Sequence, residues 1–285
     1  MNIFESGNKI VTKFVFDFDG AIAEAILYKY EDRVVICCST QSGCKVGCKF
    51  CGTGEKFIRN LNSKEIEAQV LEILRYKNLL DINDSDKRFQ IMFMSMGEPM
   101  HNWDNVSDSI KNLHCNLPNA ELLISTVGIK DDITKFRIIE LSKQIKKIGL
   151  QFSIHKSNNV DRHKLIPHKD VMGLWEIRDF GIKWSVETGR PVYLNYCVDG
   201  TNNKFENYVE LHNIFSKSCF NFTFSVICSK DETMKEAGYK NIEKIRLFED
   251  YFIKGGYNTR IFNPDGQDDI GGGCGQLWYF QNAIK

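Results

Sequence analysis

Proline is scarce in this chain, five in 285 residues, and no apolar run approaches the length needed to span a bilayer. Few prolines leave strands and helices uninterrupted. The opening MNIFESGNKIVTKF lacks the basic-then-apolar pattern of an export signal, so a cytoplasmic protein with no membrane partner is expected. Net charge is missing too: 37 Lys and Arg balance 37 Asp and Glu. No global positive field draws the chain to phosphate, and any nucleic-acid contact must be local. Linkers and low-complexity segments are also absent, which leaves one catalytic domain with short appendages as the expected organisation. Cysteine, by contrast, is abundant. Ten cysteines without an export signal argue against a disulfide scaffold and for metal or redox chemistry.

Along the chain, residues 10 to 38 alternate apolar and polar side chains around Asp19-Gly20, which predicts an antiparallel hairpin feeding the first core strand. A Cys-rich loop runs to Thr53. Behind a Ser63 cap, Ile66, Val70, Ile73 and Leu74 keep helical spacing. Strand and helix patterns then alternate: RFQIMFMSMGEP, NVSDSIKNLHCNL, ELLISTVGI, TKFRIIELSKQIKKIG, LQFSIH, DVMGLWEIRDFGIKW, VYLNYCV, NYVELHNIFSKS, NFTFSVIC, KNIEKIRLFEDYFIKGG and NTRIF. Repeated βα units predict an α/β fold whose parallel sheet is closed or partly closed, with the site at the strand C-termini. The strands read as short apolar runs covered on both faces. The tail FNPDGQDDIGGGCGQL breaks this rhythm, and its three glycines before Cys274 suit a cysteine that moves into a site.

Cys44, Cys48 and Cys51 offer three thiolates and no fourth. A closed zinc site takes four ligands, whereas a 4Fe-4S cluster held by three cysteines keeps one iron open to a small molecule. Inert thiols fit poorly beside the polar, loop-forming Gly43, Lys45, Gly47 and Lys49. Taken singly, the GEP of Gly97 and Glu98 reads as a turn, His155 as an ordinary buried histidine, and Glu24 as a surface carboxylate on a hairpin. For Cys37 a buried strand cysteine and a reactive one stand level.

The segments CCSTQSGCKVGCKFCGTG, FIRNL, FMSMGEPMHNW, ISTVGI, FSIH and DDIGGGCGQL, in this order from about Phe14 to Leu277, resemble a known family. It is the radical S-adenosylmethionine (SAM) superfamily, and within it the RNA adenine methyltransferases that modify carbon 2 or carbon 8 of adenosine in 23S ribosomal RNA. The carbon-2 branch also modifies tRNA. The resemblance implies a partial (β/α)6 radical SAM barrel over 36–262, a small β extension over 1–35, and a tail over 263–285 that carries the methyl-bearing cysteine. It implies a 4Fe-4S cluster on Cys44, Cys48 and Cys51, with SAM as cofactor and a flavodoxin- or ferredoxin-like reductant. Gly97 and Glu98 would contact the cofactor's amino group; Ser125 and the Ser153-Ile154-His155 strand end would contact its ribose and adenine.

By the same resemblance, Cys274 would first accept a methyl group, since ring carbons 2 and 8 are not nucleophiles. The cofactor-derived radical would remove a hydrogen from that methyl, and the product would add to the base. Glu24, thirteen residues before Cys37, would take the ring proton. Cys37, seven residues before Cys44, would form a disulfide that releases the product. The likeness to the ribosomal branch in DDIGGGCGQL and AEAILYKYEDR favours carbon 2. Three features depart from the family. Almost nothing precedes the hairpin where members carry an RNA-holding domain, NPDGQ replaces an Arg-rich stretch before Asp268, and SVICSKDE lacks an expected asparagine, for which Ser229 is the substitute. A monomer acting on rRNA or tRNA is the leading expectation. Methylation of a small molecule or peptide by the same cysteines is the second, and a non-catalytic metal- or RNA-binding module the third.

Overall fold

The computed structural model describes residues 1–226, 242–263, 266, 270–273 and 276–277. Ten of its strands form one sheet. In spatial order these are β1 (Asn2–Glu5), β2 (Val11–Phe18), β3 (Ala21–Lys29), β4 (Arg33–Cys38), β7 (Arg88–Phe93), β8 (Glu121–Thr126), β9 (Ile148–Ser153), β10 (Val192–Val198), β11 (Phe220–Val226) and β12 (Thr259–Phe262). β1 to β4 pair antiparallel, and from β4 onward every pairing is parallel. The expected α/β fold is thus present, with the N-terminal hairpin continuing the same sheet.

The turn at Asp19-Gly20 sets the hairpin. Both residues have positive φ, 53° and 83°, and Phe18 pairs with Ala21, which is the two-residue turn whose twist matches antiparallel strands. Helices α1 (Ser63–Tyr76), α2 (Trp103–Asn116), α3 (Asp132–Gln144), α4 (Asn159–Leu165), α5 (Leu174–Thr188), α6 (Phe205–Ile214) and α7 (Ile242–Lys254) make the crossovers. The cap of α1 is Asn62 rather than Ser63. Its side chain accepts from the Glu65 amide at 3.0 Å, and Glu65 returns a bond to the Asn62 amide at 2.9 Å, so Ser63 is the first helical residue. The helix predicted over TKFRIIELSKQIKKIG stops at Gln144, because Ile148 and Gly149 are claimed by pairing with Leu122 and Leu123.

Side chains alternate strictly across the parallel strands. Val34, Ile36, Phe89, Ile91, Leu122, Ile124, Leu150, Phe152, Leu194 and Phe222 point to the helix layer and form the main core. Val35, Cys37, Met92 and Leu123 point the other way, into a separate inner cluster with Ile26 and Tyr28. Higher along the strands the inner face becomes polar, with Ser125, Gln151, Asn195 and Ser225. Apolar cover on both faces therefore holds only toward the helices. The sheet curls until Tyr28 of β3 meets Phe262 of β12 edge-to-face, ring centroids 5.7 Å apart. Ile270 and Leu277 of the tail pack into the same inner cluster beside that seam.

Candidate active site

A cavity of about 170 Å³ opens where the parallel strands end and their loops begin. Cys44, Cys48 and Cys51 line one side of it. Strands β5 (Gln41–Gly43) and β6 (Phe57–Asn60) pinch the base of their loop, and the Cys44 amide bonds Lys56 O at 3.0 Å. Gly43 is required there: its φ is +76°, and a Cβ would sit 1.9 Å from Lys56 O. The far side of the loop is tied to α4 by Lys49 N to Leu165 O, 2.9 Å.

Burial pushes Cys44 up to about 12, against the amides of Val46 and Gly47 and reinforced by Cys51 and Glu98. Cys48 is raised well above its ordinary value by burial, then by Cys51 and Cys44. Cys44 and Cys48, held neutral by burial and by neighbouring negative groups, are brought to the thiolate form by a cationic centre that joins them. Among the described residues no His, Cys, Asp and Glu group converges tightly enough to hold a single metal ion. A four-iron cluster is wider than one ion and takes its ligands at separate corners, so three cysteines lining one cavity suit it in number and chemistry.

Gly97 and Glu98 also line the cavity. Gly97 has φ +97°, and a Cβ would lie 2.6 Å from Gln41 Cβ. The Glu98 carboxylate is buried and accepts from the Met100 amide at 3.0 Å, the Val127 amide at 2.9 Å and the Thr126 hydroxyl. Burial raises its pKa, and those donors with Arg162 counter the rise. Glu98 thus locks the end of β7 to the end of β8.

Ser125, Ser153 and His155 line the cavity as well. Ser125 Oγ accepts from Gln151 Nε2 at 3.0 Å. His155 is buried with φ +59°, a strained conformation for a residue with a side chain, and its ring meets Phe50 edge-on at 5.2 Å. Its Nδ1 accepts from the Cys197 amide at 3.1 Å, which leaves Nε2 as the protonated donor. Burial lowers its pKa to about 3, with Arg162 and Lys156 adding to the fall. Ile154 is different. The pleat turns its side chain into the main core between its two cavity-facing neighbours, so only its backbone is near the site.

Cys37 lies on the cavity wall, 3.9 Å from Met92 Sδ, and burial pushes its thiol up to about 12. It is a buried strand cysteine and a cavity residue at once. Glu24 is not the surface carboxylate that its hairpin position suggests. It is fully buried on the inner face of β3, its Oε2 3.7 Å from Lys13 Nζ. Cys274 and Ser229 lie outside the described residues. Gly272, Gly273 and Leu277 on either side of Cys274 line the same cavity, and Leu277 O accepts from Thr53 Oγ1 at 3.4 Å. Asn195, Ser225 and Lys13 were not foreseen. A polar residue at alternate positions of VYLNYCV and NFTFSV is the signal that marks the first two.

This strand-end cavity with a three-cysteine loop matches the model of the radical SAM superfamily over residues 38–212, and the chain belongs to that superfamily. Its cofactors are a 4Fe-4S cluster and SAM. Within the superfamily it is a methyltransferase related to the enzymes called RlmN. It is 35% identical over 274 residues to a probable dual-specificity RNA methyltransferase RlmN of Clostridium novyi, covering 93% of this chain and 75% of the relative. It is 31% identical over 280 residues to ribosomal RNA large subunit methyltransferase N of Nitrosopumilus maritimus, covering 93% and 76%. The crystal structure of a radical SAM methyltransferase from Sphaerobacter thermophilus superposes with a TM-score of 0.82 at 27% identity, over 98% of this chain and 80% of that one. No helix among the described residues is long and apolar enough to cross a membrane.

Proposed function

We propose that the chain methylates a ring carbon of adenosine in RNA, carbon 2 in preference to carbon 8, through a methyl group carried on Cys274 and a transient protein–RNA cross-link. The observation that carries this reading is that Cys37, the three loop cysteines and the residues flanking Cys274 border one cavity. When bound, the cluster and SAM supply a methyl group and a primary carbon radical. In this reading Cys44, Cys48 and Cys51 hold the cluster, and Gly97, Glu98, Ser125, Ser153, His155 and the Ile154 backbone surround SAM, with Ser229 as a further contact. The neutral His155 offers a hydrogen-bond donor without adding a charge.

The Cys274 sulfur bears the one-carbon unit that joins the adenine ring. Glu24 removes the ring proton. Cys37 then gives up its thiol proton and attacks the Cys274 sulfur, forming an S–S bond as the carbon–sulfur bond breaks. The freed electron pair stays on the released carbon, which takes up that proton to become the methyl group, and the one electron left from radical addition passes to the external electron carrier. An external flavodoxin- or ferredoxin-like donor supplies reducing electrons, and a thiol reductant reopens the disulfide. Cys37 is held protonated by burial, which keeps it from closing that bond before a substrate occupies the cavity.

The test is trapping. Reconstituted Cys37→Ala protein incubated with total RNA, SAM and reductant is expected to accumulate a covalent adduct that ribonuclease trims to a nucleotide mass on a Cys274 peptide. An adduct that ribonuclease does not alter moves the substrate to a small molecule or peptide, and absence of any adduct despite 5′-deoxyadenosine release refutes the cross-link.

A further inference from the structure

The inner face of the hairpin holds a buried ion pair of which the proposed chemistry uses only one member. Lys13 on β2 and Glu24 on β3 are both fully buried, and Lys13 Nζ lies 3.7 Å from Glu24 Oε2. Lys13 pairs with Ile26 and Val15 with Glu24, so the two are diagonal neighbours on one face, and Ile26 lines the cavity. The same ammonium is 3.5 Å from the carbonyl of Gly271, in the glycine run before Cys274, and stands over the Phe4 ring at 5.4 Å. Around the pair the wall is apolar, with Val11, Ile26, Tyr28 and Ile270 in one cluster.

Such surroundings decide what a carboxylate can do. Buried without a cation it takes up a proton and stops being a base; beside an ammonium it stays ionised. We infer that Lys13 is the positioning residue that keeps Glu24 an ionised base and, through the Gly271 carbonyl, fastens the tail segment that leads to Cys274. The inference rests on the function proposed above. Proton transfer from the adenine ring turns the Glu24 carboxylate into a carboxylic acid and the pair from neutral to singly positive; release of that proton to water resets it.

Among the described residues, the titratable groups facing Glu24 are Lys13 from β2 and, one diagonal step along β4, Cys37, whose partner across the strands is Ile26. Burial keeps the Cys37 thiol neutral, so its charge does not enter. Burial also draws Lys13 down while Glu24 pulls it back up. Each charge therefore depends on the other.

Two measurements on the full chain test this. In the first, the Glu24 carboxyl is followed by carbon-13 NMR, with Glu24→Gln for assignment. It is expected to be ionised at pH 7 in the native protein and in Lys13→Arg, and to titrate at least one pH unit higher in Lys13→Met. An unchanged titration in Lys13→Met overturns the inference. In the second, reconstituted Lys13→Met with total RNA, SAM and reductant is expected to methylate Cys274 yet accumulate cross-linked RNA at least tenfold over the native enzyme at pH 7. The rising limb of adduct clearance should move to higher pH, and Lys13→Arg should restore clearance. Adduct clearance at the native rate overturns it as well. If Lys13→Met does not fold, Lys13→Gln replaces it, and if neither folds the pair is purely structural and the inference falls. If no variant forms an adduct with RNA, the RNA reading is what fails, and the NMR titration still decides the role of Lys13.

Discussion

His155 Nδ1 accepts a hydrogen bond from the backbone amide of Cys197, 3.1 Å away, across the gap between β9 and β10. That bond, made by a residue with φ +59°, fixes both the tautomer and the direction of a buried ring on the cavity wall.

Burial holds His155 near a pKa of about 3 and His101 near about 4, both below the ordinary 6.5. Between those values and 6.5 the unfolded chain binds more protons than the folded one. Stability is therefore complete above pH 6.5 and declines as pH falls, by about 2 kcal/mol at pH 5 from His155 alone. Urea denaturation at pH 7, 6 and 5 should trace this slope, and His155→Asn should remove about half of it, leaving the part due to His101.

Gly97→Ala should be destabilising by about 1–3 kcal/mol, because φ +97° is strained for alanine and the new methyl meets Gln41 Cβ at 2.6 Å. Moving Gln41 also breaks its 3.0 Å acceptor bond to the Glu98 amide. Denaturant midpoints read the first effect, and equilibrium SAM binding, expected to weaken, reads the second.

Alanine at Cys44, Cys48 or Cys51 should abolish both bound iron and 5′-deoxyadenosine release after anaerobic reconstitution. Cys115, exposed on α2, provides the contrast. Cys115→Ser should retain iron and activity, as read by iron analysis and the visible absorbance of the reconstituted protein.

Arg162 is fully buried, and its guanidinium donates to Met172 O at 2.9 Å, Val127 O at 2.6 Å and Ser153 O at 3.2 Å. It holds together the ends of β8 and β9, which carry Ser125 and His155. Arg162→Met strands one buried and two partly buried carbonyls and should cost about 3 kcal/mol. Arg162→Lys should rescue little, since one ammonium cannot reproduce the fork. Both are measured by chemical denaturation.

Much of this architecture is legible in the sequence because strand alternation and helical spacing are local. VYLNYCV is the strand Val192–Val198, and the Asp19-Gly20 turn is where the hairpin folds. The end of α3 was not legible, since Ile145 and Ile148 continue helical spacing and only pairing with β8 shows that the second belongs to a strand. Nor was α4, seven residues with Arg, His and Lys in succession and too few apolar positions to show a helical stripe, so the buried role of Arg162 was hidden. The loop cysteines announce themselves by spacing. Glu24 does not: its burial depends on Lys13, eleven positions earlier, and only the hairpin register brings the two together.

The seam between Tyr28 and Phe262 has a last consequence. A fully closed barrel has its girth fixed by continuous backbone pairing all the way round. Here, among the described residues, no ladder joins β12 back to the hairpin, and Phe262 of β12 meets the inner face of β3 through a ring contact, so the bore can widen by rotating an aromatic side chain when something bulkier than a cofactor must be admitted.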